Sequence, residues 1–150
     1  MKLGLILHDS EEEHDCFSDN THNSHYYNVL GIKNIYLGRY KRVDGTLISG
    51  PGISDLVKAA DPKLDRRIRM RLDAAMTAIT DIVKRAEQIE AYDQMIGENN
   101  SAGNDLIQLA IDRLIVLSRD FERIPNALNL KSVEFQGSES LIPKTEAVQQ

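Results

Sequence analysis

From residue 62 onward the apolar positions fall every three or four residues: Leu64, Ile68, Leu72, Ala75, Ile79, Ile82, Ala86 and Ile89. That spacing places them along one face of an α-helix. Asp61-Pro62 supplies the start, since an aspartate can hold the free amides and proline at the first helical position forfeits no hydrogen bond. The pattern predicts a helix from Pro62 to about Met95 and Ile96, roughly nine turns at 3.6 residues each, with Gly97 as its stop. A polar connection, Glu98 to Asn104, leads to a second helix carrying Ile107, Ala110, Ile111, Leu114, Leu117 and Phe121, which Pro125 ends. A short link between two seams predicts an antiparallel pair.

Upstream, Tyr26, Val29, Leu30, the stem of Lys33 and Leu37 recur at helical spacing, giving a helix from about Thr21 to Leu37 despite Gly31. Residues 9 to 20, DSEEEHDCFSDN, are polar and rich in turn formers and form a loop, with Ser18, Asp19, Asn20 and Thr21 as candidate caps. Between 38 and 52, Asp44-Gly45 flanked by Tyr40, Val43, Leu47 and Ile48 predicts a hairpin or an irregular excursion. Ile53 to Ala60 follows as a short helix capped by Ser54. Periodicity is lost after Gly137. The expected organisation is therefore an all-α helical bundle over residues 1–137 and a flexible tail over 138–150.

The seams also show what the bundle needs. Burying a large apolar side chain is worth about 2 kcal/mol, while ordering each residue's backbone costs about 1 to 2 kcal/mol, so a pair of helices with one seam each is marginal. Leu106, Leu109, Ile115 and Val116 lie off the main seam of the second helix and widen its apolar surface. The helix from Thr21 covers part of it. A full four-helix arrangement calls for another element, from a missing part of the chain or from a second copy forming a homodimer.

Composition narrows the function classes. Apolar residues make up 41% of the 150 and charged residues 27%, as in ordinary globular domains. Eighteen Lys and Arg against 23 Asp and Glu give a net charge of -5, a field that repels nucleic acid. Arg66, Arg67, Arg69 and Arg71 cluster, but Asp61 and Asp65 at helical spacing make them a solvated face with charge pairs. Cys16 is the only cysteine, so no intrachain disulfide can form. No apolar run approaches the roughly 20 residues of a transmembrane helix, and the apolar stretch Leu3 to Leu7 is too short for an export signal.

The chemistry-bearing residues concentrate between Glu11 and His25. His14, His22 and His25 stand there with Cys16, Asp15, Asp19 and the acids Glu11, Glu12 and Glu13. Imidazole with thiolate or carboxylate suits zinc or iron, and His22 and His25, three apart, share a helix face. No His-Glu-x-x-His or other zinc signature is present. The plainer account makes the acids solvated, Asp19 and Asn20 caps, and His25 packed with Tyr26 and Tyr27 at a helix start. A third account, a nucleophilic Cys16 aided by His14 or His22, uses the same side chains.

The string EEEHDCFSDNTH from Glu11 to His22, followed by SHYYNVLGIKNIYLGRY and VDGT, resembles the C-terminal half of imelysin-like proteins of the iron-regulated protein A type. The likeness runs through LVKAADPKLD, AYDQMIGENN and FQGSESL, from about Met1 to Leu141. The resemblance implies a bacterial envelope protein, usually exported or lipid-anchored, built of two helical-bundle halves related by an approximate two-fold, with a site between them and a link to iron or haem. It also implies a Gly-x-His-x-x-Glu motif in the N-terminal half, and a peptidase activity has been attributed to founding members. This sequence contains no Gly-x-His-x-x-Glu, and Met1-Lys2-Leu3 is similar to an internal stretch of the longer proteins.

The expectation is then a C-terminal half whose Glu12, Glu13, His14, Cys16, Asp19, Asn20 and His22 form one wall of an interdomain cleft. His14 and His22 are its candidate metal ligands or proton carriers, and Asp19 and Asn20 its orienting groups. Iron or zinc would be completed by ligands from a missing N-terminal half. The leading expectation is a binding component of iron- or haem-related uptake, not catalytic alone. The alternatives are half of a metal-dependent, peptidase-like hydrolase, or a structural helical module that dimerises. Location is periplasmic or cell envelope by resemblance, and cytoplasmic if the chain is complete.

Overall fold

The computed structural model describes residues 1–131; the tail expected over 138–150 lies outside them. Along the chain run α1 (Lys2–Leu7), a 3-10 turn (Ser10–Glu12), α2 (Thr21–Leu37), β1 (Arg39–Lys41), β2 (Leu47–Ser49), α3 (Ile53–Ala60), α4 (Pro62–Gln88), α5 (Tyr92–Met95), α6 (Ser101–Phe121) and α7 (Ile124–Ala127). The expected helical bundle is what forms, with one two-stranded hairpin.

Helices α4 and α6 make the central pair. Arg67, near the start of α4, lies 2.9 Å from Asp120, near the end of α6, so the two run antiparallel. The α4 seam is buried as expected from Leu64 to Ile82, and Ile107, Ala110, Ile111 and Leu117 of α6 meet it. Helix α2 lies across α4 and contributes Val29 and Tyr36 to the same core. At the head of α4 the Asp61 carboxylate accepts from the amides of Lys63 and Leu64, both at 3.0 Å, with Pro62 in the first turn.

The long helix is shorter than its periodicity implies. It ends at Gln88, and Ile89 is 67% exposed. The amides of Ile89 and Glu90 both bond to the Arg85 carbonyl, Arg85 pairs with Glu90, and Ala91 is extended. The chain then doubles back as α5, which buries Tyr92, Met95 and Ile96. Gly103 of α6 makes this possible: a Cβ there would sit 2.6 Å from Met95 Cα. Met95 and Ile96 thus belong to a second short helix and its end, not to an extension of the first.

Two other expectations need correction. The cap of α3 is Gly52, whose amide donates to Asp55 Oδ2 at 2.9 Å, while Ser54 sits inside the helix and is buried. Ser54 donates to Asp65 Oδ1 and accepts from Arg69, tying α3 to α4. The same Asp65 takes the Tyr36 hydroxyl of α2 at 2.9 Å and Arg69 Nε at 2.9 Å. Asp65 and Arg69 therefore do not form a solvated face pair; the carboxylate is buried at the junction of three helices. Burial pushes its pKa up, but the donors Ser54, Tyr36 and Arg69 more than offset this and hold it below the ordinary aspartate value.

The hairpin pairs Arg39 with Ser49 and Lys41 with Leu47 and stands exposed along both strands. It is rooted by a close backbone crossing. Gly38, in the left-handed region at φ 63, ends α2, and a Cβ there would lie 2.2 Å from the Gly50 carbonyl.

Candidate functional site: an acid-histidine loop closed over a buried tyrosine

The loop between α1 and α2 is pinned at both ends. His8 takes the left-handed conformation that ends α1 and its Nδ1 lies 2.7 Å from the Ile96 carbonyl, joining the loop to α5. The Asp9 side chain accepts from the Glu11 amide and opens the 3-10 turn. At the other end the Thr21 hydroxyl, fully buried, accepts from the Asp15 amide at 2.8 Å, and Ser24 donates to the Asp15 carboxylate. Asp19 turns the chain at φ 51. The segment is thus folded down by hydrogen bonds, where sequence alone gave only a polar loop.

This folding divides the expected cleft wall. Glu13 is turned inward and only 8% exposed, whereas Glu12, His14, Asp19 and Asn20 face solvent and Cys16 is partly covered. Asn20 is the N-cap residue of α2, but its side chain accepts from the Asn23 amide group and not from the helix backbone. His22 Nε2 lies 3.1 Å from Asn23 Nδ2. The ring that packs against His14 is that of His25, with centroids 5.7 Å apart, and not that of His22. Among the described residues no three His, Cys, Asp or Glu side chains gather closely enough to hold a metal ion.

Sequence reading missed the residue on which the loop closes. Tyr92 of α5, 1% exposed, meets His25 edge to face at 5.7 Å between ring centres. Its only sequence signal is its place in the string AYDQMIGENN. Burial, joined by the charge of Glu13, pushes the Tyr92 phenol well above its ordinary value. Burial likewise raises Glu13; the Thr21 hydroxyl opposes this, and Asp93, Asp19 and Asp15 add to it. His25 is driven down to about 4 by burial, with the amino group of Met1 and His14 contributing, so its ring is neutral at pH 7. Neutral imidazole and phenol thus meet in a poorly solvated place, with the Glu13 carboxylate near enough for its charge to act on the phenol.

Beside this site lies uncovered apolar surface. A groove of about 320 Å³ between α1, α2 and α6 is lined by Met1, Ile32, Ile111, Leu114, Ile115 and Phe121. Leu3, Ile6 and Leu7 of α1 are each more than half exposed. On the other flank of α2, Tyr27 and Ile35 are exposed as well, and Ile35 lines a second groove with Tyr40 and Ile48 of the hairpin. No helix among the described residues is long and apolar enough to cross a membrane.

No curated protein matches the chain. The family model described as Imelysin matches residues 1–121, which takes in the acid-histidine loop, Tyr92, the α4–α6 pair and the exposed grooves, and the chain therefore belongs to the imelysin family.

Proposed function

We propose that this chain is one helical half of a two-part binding protein in an iron- or haem-related envelope system, and that it does not catalyse a reaction alone. The observation that carries the reading is the apolar groove bounded by Ile32, Leu114 and Phe121, which Met1 lines at the start of α1. Soluble domains rarely leave contiguous apolar surface of this kind unless another surface covers it. Its cover, in this reading, is a second helical bundle carrying Gly-x-His-x-x-Glu, with the acid-histidine loop at the seam between the two.

The test is to mix the purified chain with such a bundle, taken from an imelysin relative, and to follow sedimentation. A one-to-one complex is expected, and Ile32→Asp with Leu114→Asp should abolish it while far-UV circular dichroism stays unchanged. Absence of a complex, or a complex indifferent to those substitutions, refutes the reading. A homodimer broken by the same substitutions would assign the groove to a second copy. Metal-dependent cleavage of a peptide panel by the complex would replace the binding role with a hydrolytic one.

A further inference from the structure

The hairpin carries side chains for which the bundle has no use. Val43 beside the tip is fully exposed, Tyr40 and Leu47 are more than half exposed, and Ile48 is 41% exposed. None of them belongs to the core or to the apolar residues packed against it. Apolar residues scattered singly over a surface are ordinary, but these share one two-stranded projection, and such a concentration marks a surface that meets something. Arg39, Lys41 and Arg42 stand among them against Asp44 alone, on a chain whose net charge is -5. No carboxylate among the described residues pairs with any of the three, and Asp44 turns back to accept from the Thr46 amide at 2.8 Å. Cations by themselves guard an exposed strand edge against pairing with another chain. Bare valine, leucine and tyrosine beside them do not.

The register decides what kind of surface can cover this group. Tyr40 lies opposite Ile48 and Lys41 opposite Leu47, and neighbouring strand residues point to opposite faces. Tyr40 and Ile48 therefore hold one face, which lines the groove of about 390 Å³ beside Ile35 of α2, while Leu47 and Lys41 hold the other. A folded partner laid on either face leaves the apolar residues of the other in water. The interfacial layer of a lipid bilayer surrounds a projection and covers both. At about 3.3 Å per residue, a tip dipped about 5 to 10 Å below the lipid phosphates puts Val43 at the upper acyl chains and leaves Lys41 and Arg42 at phosphate level. An anionic bilayer attracts these cations and repels the acidic remainder of the chain, which sets the hairpin toward it.

We propose that the hairpin docks this chain on the surface of an anionic lipid bilayer, with Val43, Leu47, Tyr40 and Ile48 entering the headgroup layer and Arg39, Lys41 and Arg42 meeting lipid phosphates. The contact is peripheral, as no helix among the described residues is long and apolar enough to cross a membrane. The inference goes beyond the two-part reading and uses none of the groove residues on which that reading rests.

The chain has no tryptophan, so Val43→Trp in the full chain reports from the tip alone. Titrated with vesicles of phosphatidylcholine and phosphatidylglycerol, its emission should shift to the blue, and the parent chain should float with the same vesicles in a density gradient. Vesicles of phosphatidylcholine alone should bind on the order of a hundredfold more weakly, the product of three cations at about fivefold each. Ile89→Trp, exposed just beyond the far end of α4, should keep the emission of a solvated indole. Arg42→Gln should weaken binding about fivefold, and Val43→Asp with Leu47→Asp should abolish flotation while far-UV circular dichroism stays unchanged. Should that double variant lose its fold, Arg42→Gln and the Val43→Trp emission carry the test. A tip emission unmoved by anionic vesicles, an equal response to neutral ones, or flotation that survives the two aspartates overturns the inference. So does a chain that ignores vesicles but sediments as a dimer broken by the same substitutions, which would give the hairpin to a second copy.

Discussion

Replacing Asp65 by alanine should unfold the junction of α2, α3 and α4 before any other single polar change does. The carboxylate accepts from Tyr36, Ser54 and Arg69, and Tyr36 and Ser54 are themselves 1% exposed, so neither hydroxyl can turn to water when the acceptor goes. Each stranded hydroxyl costs about 1 to 3 kcal/mol. Arg69, 40% exposed in its side chain, can rehydrate and adds less. The total lands at about 3 kcal/mol, in the range seen when one partner of a buried ion pair is removed. Urea unfolding followed by circular dichroism measures it. The companion variant Tyr36→Phe, which leaves Asp65 with two donors, should cost about 1 kcal/mol, and the double variant should cost less than the sum because the stranded Tyr36 hydroxyl is then gone. A pH series adds a sign. With the folded-state pKa of Asp65 held below 3.8, the network's contribution is complete above that value and is lost as pH falls through the lower folded-state pKa. Asp65→Asn should flatten that acid limb. A loss below about 1 kcal/mol for Asp65→Ala, or strict additivity in the cycle, would refute the network as a stabilising unit.

Other substitutions probe other elements. Gly103→Ala gains about 1 kcal/mol of helix propensity in principle, yet the new Cβ meets Met95 Cα at 2.6 Å, so a net loss of about 1 to 2 kcal/mol and a lower Tm are expected; an unchanged Tm would show that α5 does not need that approach. Asp61→Ala should cost about 1 kcal/mol through the freed amides of Lys63 and Leu64, read as a lower urea midpoint with the slope unchanged. His25 should titrate at about 4 in a histidine-resolved NMR series. Because the unfolded chain takes up that proton from about pH 6.5 downward and the native one does not, stability should fall between those two values, and His25→Asn should remove the slope; a His25 titration near 6.5 would contradict its burial.

Much of the bundle was legible because it is written locally. Asp61-Pro62 fixes the start of α4, Thr21 and Leu37 bound α2, and Asp44-Gly45 marks the hairpin turn. Each signal is complete within a few residues. The end of α4 was not legible, since Ile89, Met95 and Ile96 keep the helical interval with no glycine or proline before Gly97. What breaks the helix is the space over Gly103 of another helix, which periodicity cannot register. The placement of Ser54 failed for a related reason: serine near a helix start is a good cap locally, but here Asp65 and Arg69 compete for its hydroxyl. The candidate site divides in the same way. Glu13 and His14 were visible as part of a dense run of ligand types, whereas Tyr92 joins them only through the doubling back of α5.

The neck of the hairpin has a consequence for how this protein can vary. At Gly38 and Gly52 two stretches of main chain touch with no room for a methyl group, while beyond that point both strands and the Asp44-Gly45 tip are exposed. The projection behaves as an interchangeable cassette on a fixed mount: its tip can lengthen, shorten or accept a foreign epitope, and the bundle beneath will not register the exchange so long as those two glycines stay bare.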